Sequence, residues 1–68
     1  MANFSDRLKE LRKSKNLTQK QMSEVLHTTL RQYQRYESGD QTTTLDNLIK
    51  IADYFDVSID YLVGRDHQ

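Results

Sequence analysis

Residues 17–39 read LTQKQMSEVLHTTLRQYQRYESG, and the fold turns on whether this stretch is one helix or two. Thr18 followed three residues later by Gln21 makes a capping box: the threonine hydroxyl accepts from the third helical amide while the glutamine side chain returns to the cap. Leu17 and Met22 stand on either side of that cap as a hydrophobic staple. Thr29 and Gln32 repeat the box, so the stretch holds two helix starts. The second helix is therefore expected from Gln19, with Met22, Val25 and Leu26 inward, fading at His27. The third is expected from Leu30 to about Ser38, where Gly39 takes the left-handed position past the helix end. About three residues remain between the two, and a turn that short makes the helices cross steeply.

The flanking sequence reads the same way. Asn3 stands before Phe4, Leu8 and Leu11 at helical spacing, so a first helix runs to about Ser14. Thr44 caps a periodic segment with Leu45, Leu48, Ile49, Ala52 and Phe55 expected along its inner face, and Asp56 is a stop that tolerates the left-handed region. Ser58 caps a short last helix containing Ile59, Leu62 and Val63, ended by Gly64. There is no proline, and Gly39 and Gly64 are the two glycines. Strand-like alternation is absent, so residues 1–68 are expected to form one all-α, five-helix domain without linker or repeat.

Composition narrows the function. A chain of 68 residues supports one small core, burying only about 60% of its unfolded surface, which leaves little for a deep ligand cleft. It has no cysteine, and His27 and His67 are the two histidines, so a structural zinc site lacks ligands. No glycine-rich phosphate loop, cysteine nucleophile or histidine pair is present, and an enzyme is not expected. No apolar run matches a signal segment or a membrane span, so a cytoplasmic protein is expected, without cofactor or metal.

Net charge is zero, but its distribution is lopsided. Residues 1–36 carry eight basic residues against three acids, and residues 37–68 carry two against seven. A chain at +5 in one part and −5 in the other can offer a local basic face to phosphates while staying neutral overall. Chance clustering on solvated helices explains the charges equally well, so the pattern needs a second line of argument.

That line comes from three stretches: DRLKELRKSKNLTQKQMSEVL (6–26), RYESG (35–39) and LDNLIKIADYFDVSIDYLVGR (45–65). Together they resemble the phage-repressor type of helix-turn-helix regulators, also called the xenobiotic-response-element family, over nearly the whole chain. The resemblance implies a lambda-repressor-like fold whose helix-turn-helix unit spans about residues 18–38. It also implies that the third helix enters the major groove of double-stranded DNA. Its outward residues Leu30, Arg31, Gln34 and Arg35 are then the candidates for base contact. Arginine can span guanine O6 and N7, glutamine can pair with adenine, and leucine can pack on a thymine methyl. Gln19, at a helix N-terminus that favours anions, is a candidate for phosphate contact, with Thr29, Tyr33, Ser38 and Gln41. Tyr33 is expected to sit inward with its hydroxyl near the surface.

The resemblance further implies a buried ion pair between Arg12 and Glu37, whose rupture would cost about 3–5 kcal/mol. His27 stands where relatives carry glycine; it reads as a turn residue at positive φ, ahead of any reading as a pH switch or metal ligand. Asp40 stands where relatives often carry basic residues or proline, which moves any contact in that loop onto Ser38, Gln41 or the main chain. The resulting expectation is a transcriptional repressor occupying a two-fold symmetric operator as a homodimer. Tyr54, Ile59, Tyr61, Leu62 and Val63 offer its apolar dimer surface. No small-molecule effector is expected, since the sequence ends soon after Gly64 without a sensor region. The competing reading is a protein-interaction module of the same fold, an antitoxin-like or oligomerising partner.

Overall fold

Every expected cap forms, and the caps set the boundaries. In the computed structural model, which describes residues 3–65, Asn3 accepts from the Asp6 amide at 3.1 Å and starts α1, Phe4–Ser14. Thr18 and Gln21 close a complete box, at 3.0 Å and 2.8 Å, ahead of α2, Gln19–Val25. Thr29 accepts from the Gln32 amide at 3.0 Å and opens α3, Leu30–Ser38; this start uses the forward half of its box. Thr44 accepts from Asn47 before α4, Leu45–Phe55, and Ser58 accepts from Tyr61 before α5, Ile59–Leu62. His67, counted above among possible ligands, lies outside the described residues.

Four of the helix ends close alike, with the chain turning through a left-handed residue. Leu17 N–H reaches Arg12 O while Asn16 N–H reaches Lys13 O, and the same paired bonds recur at His27 and Thr28, at Asp56 and Val57, and at Gly64 and Arg65. This is the Schellman arrangement, which satisfies the last carbonyls of a helix. Its pivot residues Asn16, His27, Asp56 and Gly64 all have positive φ. His27 thus holds the strained turn expected of it, at φ 55°. Asn16 is a fourth such pivot that the sequence reading passed over, although asparagine is among the few residues that visit this region. Gly39, at φ 87°, ends α3; a Cβ there would only meet Ser5 Oγ at 3.6 Å, so conformation rather than space calls for glycine.

The core gathers Leu8 of α1, Met22 and Leu26 around α2, Tyr33 and Tyr36 of α3, Ile51, Ala52 and Phe55 of α4, and Leu62 of α5. Phe4, Leu11, Leu17, Val25, Leu48, Val57 and Ile59 pack against its margins. α1 packs on α3 and α5, α2 on α3, and α4 on α5. Arg7 ties α1 to α5 twice: its Nη1 donates to Tyr61 O at 2.9 Å, and its guanidinium lies 4.2 Å from the Tyr61 ring centroid.

The inner face of α4 differs from the expectation. Leu45 and Ile49 were expected inside, yet they are 64% and 43% exposed, while Ile51 is fully buried. The true seam is Leu48, Ile51, Ala52 and Phe55, an i, i+3, i+4, i+7 stripe. Leu45 and Ile49 lie at one margin of that stripe and stay exposed. No helix among the described residues is long and apolar enough to cross a membrane.

Candidate nucleic-acid interface

α3 is split lengthwise by burial. Tyr33, Tyr36 and Glu37 are buried, and the two tyrosine rings meet edge to face with centroids 6.4 Å apart. Leu30, Arg31, Gln34 and Arg35 are exposed along the opposite side. Leu30 is 41% exposed. Among the described residues neither Arg31 nor Arg35 takes a hydrogen bond or an ion pair through its side chain, so both guanidinia keep all their donors. The four residues expected to face outward thus share one face.

The buried side of the same helix is held by a polar cluster. Arg12 Nε donates to Glu37 Oε2 at 2.6 Å and Arg12 Nη2 to Glu37 Oε1 at 3.2 Å. Gln19 Nε2 donates to Oε1 at 3.2 Å, and the Tyr33 hydroxyl donates to Oε2. Four donors fill the acceptor capacity of one carboxylate. Burial pulls the Glu37 carboxyl upward, but the hydrogen bonds from Arg12, Tyr33 and Gln19 outweigh it and hold the group below the usual carboxylate range. The bond to Glu37 raises the Arg12 guanidinium in turn. Burial, reinforced by the bond to Glu37, pushes the Tyr33 phenol far up. Arg12 also donates through Nη1 to Leu17 O at 2.8 Å, so one side chain secures both α3 and the turn that leads into α2.

The phosphate candidates fare unequally. Tyr33 is fully buried with its hydroxyl spent on Glu37, which corrects the expectation of a hydroxyl near the surface; a buried carboxylate competes for it better than solvent does. Gln19 is part-buried at the start of α2, with both ends of its amide engaged, by Glu37 and by Gln34 Nε2 at 3.3 Å. Thr29 and Ser38 are exposed, each already bonded to local backbone. Gln41 is exposed at the edge of a shallow groove of about 190 Å³ lined also by Phe4, Tyr36 and Thr42.

The apolar end of α4 and α5 also differs in part. Tyr54 is 43% exposed and Ile59, Tyr61 and Val63 are partly exposed. Leu62 is fully buried in the core cluster, so its side chain offers no exposed dimer surface. One face of Tyr61 is covered by Arg7.

The helix-turn-helix family model matches residues 8–62. The chain is 47% identical over 62 residues to the cryptic phage CTXphi transcriptional repressor RstR of Vibrio cholerae, covering 91% of this chain and 55% of that one. It is 41% identical to the HTH-type transcriptional regulator AnsR of Bacillus subtilis, covering 93% and 54%. The chain thus spans about half the length of the curated relatives it matches. A crystal structure of a transcriptional regulator from Listeria innocua superposes with a TM-score of 0.89 at 35% identity, covering 96% of this chain and 61% of that one. The P22 c2 repressor in complex with a synthetic operator superposes with a TM-score of 0.87 at 18% identity, covering 97% and 100%; at that identity the likeness speaks for the fold.

Proposed function

Since the chain belongs to the helix-turn-helix family, we propose that it is a sequence-specific DNA-binding regulator of transcription, acting as a repressor by occupying an operator. α3 lies in the major groove, with Arg31 on a guanine, Arg35 on a guanine or a phosphate, Gln34 on an adenine and Leu30 against a thymine methyl. One observation carries the reading: the exposed side of α3 holds two unpaired guanidinia, an amide and a leucine, while its other side is locked into the core. A solvated helix face has no need of Leu30, and a helix pinned by a buried ion pair is a rigid platform for reading an edge.

Phosphate contacts fall to the remaining N–H of Gln19 with the first turn of α2, to Thr29, and to Ser38 and Gln41 beyond α3. A homodimer on a two-fold operator fits a module of this size, with Tyr54, Ile59, Val63 and the open face of Tyr61 between the copies. Catalysis has no part in this account, and the protein acts where bacterial or phage DNA is, in the cytoplasm. Selection of binding sites from a random double-stranded pool tests the reading. Recovery of a two-fold motif with half-sites about one helical turn apart supports it, and recovery of no motif refutes it.

A further inference from the structure

Two open helix faces of this chain complement each other. On α3, Leu30 stands at one margin of the exposed side, and Arg31 and Arg35 stand toward the other, both unpaired among the described residues. On α4, Leu45, Asp46, Ile49 and Asp53 are exposed. Helical spacing lines Leu45 and Ile49 along one margin and sets Asp46 and Asp53, at i and i+7, in a row beside them. Neither carboxylate takes a hydrogen bond or an ion pair among the described residues. Lys50 is the one base on α4, and it falls on the side of the acids away from Ile49. Leu30, Leu45, Ile49 and Tyr54 are the large apolar side chains exposed among the described residues, so all but Tyr54 lie on these two faces.

A second copy supplies what each face lacks. Arg31 and Arg35 stand about 6 Å apart along their axis and Asp46 and Asp53 about 10 Å along theirs, a mismatch that two long guanidinium side chains span while Leu30 meets Leu45 and Ile49. Each copy has zero net charge, so no overall repulsion opposes the approach, and the basic part of one is drawn to the acidic part of the next. We propose that, away from DNA, the exposed face of α3 is covered by the exposed face of α4 of a second copy, so that self-association and DNA compete for one surface. The competition, though not the contact, rests on the reading of α3 as the helix that enters the groove. Because the two faces differ, the contact is head to tail and leaves one of each open at its ends, which lets it extend past two copies. The two-fold contact through Tyr54, Ile59, Tyr61 and Val63 is separate, since it joins like faces.

Sedimentation of the full chain without DNA tests the contact. At low salt the wild type gains mass with concentration past two copies, and in 1 M salt it loses that gain, because the screening length falls from about 10 Å at 0.1 M to about 3 Å. Arg31→Glu with Arg35→Glu makes both faces acidic, and Asp46→Lys with Asp53→Lys makes both basic. Each double variant alone stays at the mass the wild type keeps in high salt. An equal mixture regains the assembly, because each variant carries the partner face of the other, and a misfolded variant could not restore it. A wild type without a salt-sensitive gain overturns the contact, as does a gain that either double variant keeps, or a mixture that regains nothing. A random-sequence duplex added to the wild-type assembly tests the competition: binding that disperses the assembly supports it, and binding that leaves it intact overturns it. If the mixture regains the assembly but the wild type binds no duplex, the reading of α3 falls and the contact stands.

Discussion

Arg12 and Glu37 are joined by two N–H···O bonds, Nε to Oε2 at 2.6 Å and Nη2 to Oε1 at 3.2 Å, between helices that meet nowhere near each other in sequence. Glu37 is 4% exposed, so its carboxylate has little water to fall back on. Arg12→Ala strands the carboxylate with Tyr33 and Gln19 as its remaining donors. The expected cost is about 3–5 kcal/mol, against a total of roughly 3–10 kcal/mol for a domain of this length. Urea denaturation of the variant should show a protein marginally folded at 25 °C. Arg12→Lys should recover little, since an ammonium cannot make the paired bonds.

The same cluster sets the pH range of stability. Glu37 is held below its ordinary value of about 4.5 in the folded chain, so the unfolded chain takes up the proton first and stability falls as pH drops below about 4.5. Tyr33 is shifted the other way from about 10, so the unfolded chain loses its proton first and stability falls as pH rises above about 10. Thermal melts across pH should show both limbs. Tyr33→Phe should lose the alkaline limb that Tyr33 contributes and keep an acid limb.

His27 costs stability where it stands. A non-glycine residue in the left-handed region carries a penalty of roughly 1–2 kcal/mol, partly offset in a glycine variant by greater freedom of the unfolded chain. His27→Gly should therefore stabilise the domain by about 0.5–1 kcal/mol in denaturant titration. Base preference should stay unchanged, because the pivot lies outside the exposed face of α3.

Burial along α4 separates residues of similar type. Ile51→Ala, at a fully buried site, should cost about 2–5 kcal/mol. Leu45→Ala and Ile49→Ala, at exposed sites, should stay within about 1 kcal/mol of wild type. Comparable costs at Ile49 and Ile51 would mean the seam is placed wrongly.

Much of this was legible before the structure, and the reasons are local. Asn3, Thr18, Thr29, Thr44 and Ser58 each act on an amide three residues ahead, so the helix starts are written in short windows. The sides of α3 follow from helical spacing in the same way. The α4 seam was misjudged because Leu45 and Ile49 extend the apolar stripe by one margin, and only packing decides which margin is covered. The buried hydroxyl of Tyr33 and the Gln19–Gln34 bond were out of reach, since both depend on where α1 and α2 place their side chains beside α3. Arg12 and Glu37 were found through family resemblance, since no pattern in the sequence pairs residues that far apart.

The central claim is that the exposed face of α3 reads bases, and one titration addresses it. Wild type and Arg31→Ala are compared on the selected operator and on duplexes changed at single positions, at several salt concentrations. The account predicts that Arg31→Ala weakens operator binding by about 1–3 kcal/mol and relaxes preference at one base pair per half-site. Both proteins should still lose affinity log-linearly with salt, at about 0.9 per phosphate contacted. Unchanged operator affinity and unchanged preference in Arg31→Ala and Arg35→Ala would contradict it.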